Sequence, residues 1–181
     1  LDCGTHTVDQ ALSFNAETPA RWVLGAVDAS DPIEWFGVKA ETMATGLIVF
    51  ENGVRATLQT GGPDMDIWGG VCVNGTRGFA EVLWDGQIQK AVVFDDPSWT
   101  PPEIDDDKKR AMVGVIGNAL DCLESGEEPE LSHKKALRAS EILFALYESV
   151  RRHARIELPL EGVTDNPFAS MLEEGRFGPV A

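Results

Sequence analysis

Two carboxylates and one imidazole fall within eight residues in Asp2-Cys3-Gly4-Thr5-His6-Thr7-Val8-Asp9. Asp2 and His6 are four apart, and His6 and Asp9 are three apart. In a helical turn all three side chains can therefore project to one side. An imidazole between two carboxylates can move a proton, with the ring as acceptor and a carboxylate to orient it. His6 is the natural base, since a free imidazole titrates near roughly 6.5. Asp9 could orient the ring by accepting its second N–H, and Asp2 could accept a hydrogen bond from a substrate hydroxyl or from His6. Each residue also has a plainer reading. Asp2 could cap a helix, His6 could be an ordinary hydrogen-bonded histidine, and Asp9 could simply favour the helix dipole. One His and two Asp could also hold Zn²⁺ or Mn²⁺, but His133 and His153 lie far along the chain and fit no ligand spacing. No metal is expected.

A helix is needed to position these groups, and Thr5 to about Phe14 reads as one. Its N-terminus would then lie beside His6 and disfavour the imidazolium. After the break at Asn15 to Pro19, Trp22 to Ala29 reads as a strand, and Asp31 to Gly37 reads as a loop. From about Thr42 to Asp95 the chain reads as strands joined by hairpins at Asn52-Gly53, Asn74-Gly75 and Asp85-Gly86. Asn-Gly and Asp-Gly between β-prone runs are the strongest short-range hairpin signal, through a turn with positive φ at both positions. Gly61-Gly62-Pro63 reads as a longer connection. It has no helix after it and so is not read as phosphate-binding.

The last third reads as helical. Met112, Val115, Ile116, Ala119, Leu120 and Leu123 recur at helical spacing, and Gly126 closes the element. Ser132 can cap a longer helix with an apolar stripe of Ala136, Ala139, Leu143, Leu146 and Val150, widened by Leu137, Ile142 and Phe144. Ile156 to Leu160 suggests a last short strand, and one helical turn is expected around Phe168 to Leu172. Strands first and helices after predict an α+β fold: an open, mostly antiparallel sheet of about six strands with helices on one face. Leu47-Ile48-Val49-Phe50 shows no clean alternation, which suggests burial on both faces with a partner subunit as the second cover.

Composition narrows the function. At 181 residues with 43% apolar and 25% charged residues, the chain suits one globular domain. A net charge of −15 repels phosphate backbones and anionic lipid, so neither nucleic acid nor a membrane surface is an expected partner. It favours neutral sugars or polyols over polyanions. No apolar run approaches the roughly 20 residues of a membrane span. Cys3, Cys72 and Cys122 form no Cys-x-x-Cys pair, and a reducing cytoplasm is the expected compartment. The five tryptophans read as core or interface more readily than as sugar platforms, with Trp68 the first candidate for substrate stacking.

Taken as Asp-x-Gly-x-His-x-x-Asp, the opening segment resembles the start of the second domain in the glucose–fructose oxidoreductase/inositol dehydrogenase family (Gfo/Idh/MocA). Phe50-Glu51-Asn52-Gly53 resembles the family's phenylalanine-x-asparagine-glycine hairpin. Asn74-Gly75-Thr76-Arg77-Gly78 resembles its glycine-threonine-basic-glycine turn. Ala136 to Ser149, followed by Leu158-Pro159-Leu160, resembles its last long helix and closing strand. The resemblance covers the chain to about residue 160. It implies the substrate-binding and oligomerisation half of an NAD- or NADP-dependent sugar or polyol oxidoreductase. Asp2 and His6 would be the catalytic and substrate-binding pair, and Asp9 a supporting carboxylate. It also implies a homo-oligomer built through the sheet face.

Two departures set limits. No Gly-x-Gly-x-x-Gly follows a strand, and the Glu-Lys-Pro segment that carries the family's partner lysine is missing. The N-terminal cofactor domain is therefore expected to lie outside these residues, and the 181 residues alone are expected not to turn over. The competing reading is a non-catalytic, sheet-mediated assembly or ligand-binding module.

Overall fold

The computed structural model describes residues 2–61, 70–83, 87–103 and 108–177, with side chains for all of these but 2, 3, 35 and 108–111. The fold is α+β, with antiparallel strands throughout the described residues. They form two compact units. One comprises Leu1–Ile67 with Leu137–Ala181, and the other comprises Trp68–Ala136.

The first unit opens with helix α1 (Asp2–Phe14). Strand β1 (Ala20–Asp28) follows, then the short strands β2 (Ile33–Trp35) and β3 (Val38–Ala40), then β4 (Met43–Phe50) and β5 (Arg55–Gly61). Strand β4 pairs with both β1 and β5, and the short β9 (Ile156–Glu157) pairs on the far side of β1, which gives the order β5-β4-β1-β9. The region expected as a loop at Asp31 to Gly37 instead holds a two-stranded ribbon, with Glu34 opposite Lys39. Its turn uses Phe36 and Gly37, both at positive φ. A bulky aromatic in that role is no turn signal.

The β4–β5 hairpin falls at the expected Asn52-Gly53, but only Gly53 takes a positive φ, of 84°. Phe50 and Val54 bracket this longer turn through the hydrogen bond from Phe50 N–H to the Val54 carbonyl. The Asn52 side chain donates to Asn15 Oδ1 at 2.8 Å and accepts from Val54 N–H at 3.1 Å. It thereby ties the end of α1 to the hairpin.

Helix α3 (His133–Arg152) begins where Ser132 caps it, with Lys135 N–H donating to the Ser132 hydroxyl. Its residues Ala139, Ile142, Leu143, Ala145 and Leu146 pack with Val8 and Leu12 of α1 and with Val23, Ile48, Phe50, Leu58 and Ile156 of the sheet. Burying such side chains stabilises a domain by roughly 1.5–3 kcal/mol each, before entropy is set against it. Leu137 and Phe144, expected to widen the stripe, lie outward.

Close approach of α3 to the sheet requires two glycines that face each other across β1 and β4. A Cβ on Gly46 would lie 2.6 Å from Leu146 Cδ2, and one on Gly25 would lie 2.8 Å from the Leu146 carbonyl oxygen. At the end of α3, Glu148 is fully buried and paired with Arg151 and Arg152. Arg151 also holds Asp165 at 2.7 Å, ahead of helix α4 (Pro167–Glu173), whose Phe168 and Met171 are buried. Asn166 caps α4 by accepting from Phe168 and Ala169 N–H.

The second unit contains β6 (Gly70–Gly75), β7 (Gly78–Leu83), β8 (Ile88–Val93) and helix α2 (Lys108–Ser125). The three strands form their own meander. The β6–β7 turn is Thr76-Arg77, with Gly75 opposite Gly78, so the turn lies two residues beyond the expected Asn74-Gly75. The Asp85-Gly86 turn lies outside the described residues. Gly126, at a φ of 78°, ends α2 as expected. Its apolar stripe does not take the burial its spacing suggests: Met112, Val115, Ile116, Leu120 and Leu123 are exposed, while Cys122 is buried. No helix among the described residues is long and apolar enough to cross a membrane.

Candidate functional site

The rotation of α1 decides where the opening motif points. Gly4, Val8 and Leu12 recur every four residues and are buried, with Val8 and Leu12 each 1% exposed. At about 100° per residue, His6 lies roughly 160° around the helix from Val8. His6 is accordingly exposed, and Asp9 is half-buried on the same side, about 60° away from it. Asp2 occupies the backbone position one turn before His6 in the same helix, and its side chain lies outside the described residues. The helical spacing that groups the three residues is thus present.

One expectation needs correcting. Helix α1 already includes Asp2, so His6 sits in its second turn and not beside its first. The exposed N–H groups of the helix N-terminus therefore lie before His6 and not just after it.

Two cavities in this unit lie elsewhere. An open one of about 590 Å³ runs along β9, between Arg152 and Glu161. A smaller one of about 150 Å³ is lined by Leu12, Ala20, Ile142 and Leu158, with Arg138 and Glu51 among its polar members. Neither is lined by His6 or Asp9. The open side of α1 is therefore a surface, and any substrate it met would need a second wall. Among the described residues no group of three His, Cys, Asp or Glu is placed to hold a metal ion. Trp68 lies outside the described residues. Trp22, on β1, is half-buried under the Arg155 guanidinium at 5.4 Å, where a role in packing accounts for it.

Two features of the surroundings escaped the sequence reading. The Asn15–Asn52 link fixes the far end of α1, and the only local signal for it was the hairpin asparagine. The hydroxyl of Ser149 accepts the Gly25 N–H at 2.9 Å and donates to the Ala154 carbonyl at 2.6 Å. It completes the hydrogen bonding of β1 where β9 stops.

No family model matches this sequence. No curated protein matches it either. Solved structures do. The WlbA dehydrogenase from Bordetella pertussis, in complex with NADH and UDP-GlcNAcA, superposes with a TM-score of 0.64 at 23% identity, over 87% of this chain and 45% of that one. The WlbA dehydrogenase from Chromobacterium violaceum, with the same two ligands, gives 0.65 at 19% identity, over 90% and 46%. The aldose–aldose oxidoreductase from Caulobacter crescentus, complexed with glycerol, gives 0.60 at 18% identity, over 86% and 46%. The fold is therefore one found within dehydrogenases and oxidoreductases. This chain spans about half the length of the structures it matches.

Proposed function

We propose that this chain is the substrate-facing and assembly domain of an NAD- or NADP-dependent oxidoreductase of the Gfo/Idh/MocA type, acting on a hydroxyl of a sugar or polyol. One observation carries the reading. On a fold shared with dehydrogenases, core packing of Gly4, Val8 and Leu12 turns His6 and Asp9 of the opening motif outward together. The exposed ring can meet a substrate held between this domain and a facing one.

In this reading a nicotinamide cofactor, held mainly by an N-terminal domain, would supply the hydride acceptor. His6 takes the hydroxyl proton, Asp9 supports the ring, and Asp2 shares substrate binding. An exposed imidazole suits that step because a substrate hydroxyl can reach its ring nitrogen. The high negative charge favours a neutral polyhydroxy substrate.

Assembly through the outward face of the four-stranded sheet belongs to the same proposal. Leu24 and Met43 are exposed there, and an apolar sheet face is a natural cover for its own copy. The free Cys72 and Cys122 suit a reducing cytoplasm.

The non-catalytic alternative draws on a specific observation, namely that the two cavities lie away from His6. A dehydrogenase screen of the whole protein that carries these residues, over a panel of polyols and both cofactors, separates the two. Reduction of NAD or NADP by one polyol supports the enzyme. Its absence across the panel supports the module.

A further inference from the structure

Helix α2 is 18 residues long, and its apolar stripe is exposed. Met112, Val113, Ile116, Leu120 and Leu123 fall within about 100° of arc on one side of it. Val113 is 70% exposed and Leu123 is 81% exposed. A continuous apolar strip of this kind marks an interaction surface, where scattered exposed side chains would not. Val113, Ile116, Leu120 and Leu123 follow one another at intervals of three, four and three residues, the a and d positions of a heptad seam. A seam with that spacing fits the side of another helix.

The stripe matches itself when a second α2 runs antiparallel to the first. Val113 then lies opposite Leu123, and Ile116 opposite Leu120, each contact being repeated by the two-fold axis. The same register sets Gly117 opposite Gly117 on one flank and Ala119 opposite Ala119 on the other. Only small residues stand where the helices cross, so the two can approach closely. Within one copy Gly117 has no such use. Glycine inside a helix weakens it relative to alanine, and a Cβ there would meet nothing within 4 Å. Charge selects the same direction. Arg110 and Glu124 occupy the Gly117 flank, seven residues to either side of it. Antiparallel pairing places position 110 of one copy opposite position 124 of the other at both ends of the seam, and parallel pairing does not. Two opposite-charge pairs then offset part of the repulsion between chains of net charge −15.

We infer that α2 is a dimerisation helix, and that its stripe is covered by the antiparallel α2 of a second copy of this chain. The contact stands independently of the role proposed for His6, and it adds a second interface to the one proposed for the sheet face.

Sedimentation equilibrium of the whole protein that carries these residues tests this. Wild type should self-associate. Ile116→Asp, at an exposed position outside the core, should weaken the association at least tenfold, or halve the mass of the assembly where the sheet face pairs as well. Arg110→Glu and Glu124→Arg should each weaken it by setting like charges opposite each other. An equimolar mixture of these two should regain wild-type association, because in the mixed pair Glu meets Arg at both ends. A parallel pair would leave each single variant as tight as wild type, and a contact through the sheet face alone would show no rescue. The inference is overturned if wild type is monomeric or if the mixture behaves as the average of its components. It is also overturned if Ile116→Asp lowers the melting temperature while association stays at the wild-type level, which would show the stripe covered by another part of the same polypeptide.

Discussion

Gly25 donates its backbone N–H to the hydroxyl of Ser149, 124 residues further along the chain, at 2.9 Å. Strand β9 covers β1 only at Trp22 and Val23, so this hydroxyl stands in for the strand that would come next. Ser149 is buried and also donates to the Ala154 carbonyl, so one hydroxyl serves two backbone groups. Ser149→Ala should therefore cost about 1–3 kcal/mol, the loss of two part-buried hydrogen bonds at about 0.5–1.5 kcal/mol each. Urea unfolding should show a lower midpoint with an unchanged slope.

Gly46→Ala tests the closeness of helix to sheet. The added methyl would sit 2.6 Å from Leu146 Cδ2, and its neighbour is a well-packed core side chain. Overpacking of this kind costs about 1–3 kcal/mol. Leu146→Ala alone leaves a cavity and should cost about 2–5 kcal/mol. The double variant should cost less than the sum of the two, because each change removes the other's clash or void, and a thermodynamic cycle reads that coupling.

Glu148 is fully buried between Arg151 and Arg152. Glu148→Ala would open a void at a buried position and remove one carboxylate from two guanidiniums that both reach solvent, so it should cost about 1–3 kcal/mol. The same substitution should loosen α4, because Arg151 also holds Asp165 and its carbonyl accepts from Arg176 at 2.8 Å. Faster amide exchange in Phe168 to Met171 than in β4 would show the local loss.

The link through Asp165 should depend on pH. The Ser170 hydroxyl and then the Arg151 guanidinium hold its carboxyl below the ordinary value of 3.8. A depressed folded value means the stabilisation is in place above about pH 4 and is lost as pH falls through the lowered value. Asp165→Asn should flatten that part of the acid-unfolding curve. A curve of unchanged shape would remove Asp165 from the acid response.

His6→Ala should leave thermal stability nearly unchanged, because the side chain is exposed. In the oxidoreductase proposed above, the same variant should lose about 10²–10⁴-fold in kcat, the usual contribution of a positioned proton acceptor. Cofactor affinity should be unaffected. Wild-type turnover in the variant would remove His6 from the chemistry.

Much of this architecture is legible in residue order, and the failures share a cause. The strand–hairpin–strand runs around Asn52-Gly53, the Ser132 cap and the Gly126 stop are local signals, and they fall where local rules place them. The β2–β3 ribbon was missed because Phe36-Gly37 carries an aromatic where a turn residue is expected. Thr76-Arg77 turns the chain in place of Asn74-Gly75 because pairing across the whole β6–β7 ladder sets the register. Periodicity correctly grouped His6 with Asp9 but could not say how the stripe of α2 would be exposed, since burial depends on partners that spacing does not name. Helix α1 includes Asp2 and does not start at Thr5, which places its N-terminus before His6 and not after it.

The anchoring of α1 by Val8 and Leu12 has a consequence for how this segment can vary. Adding or deleting one residue between His6 and Leu12 would swing the imidazole by about 100° and shift it by about 1.5 Å along the axis. Side-chain swaps on the solvent face leave that phase alone. Length, more than identity, is the guarded property of this stretch, and natural variants should show exchanges here without insertions or deletions.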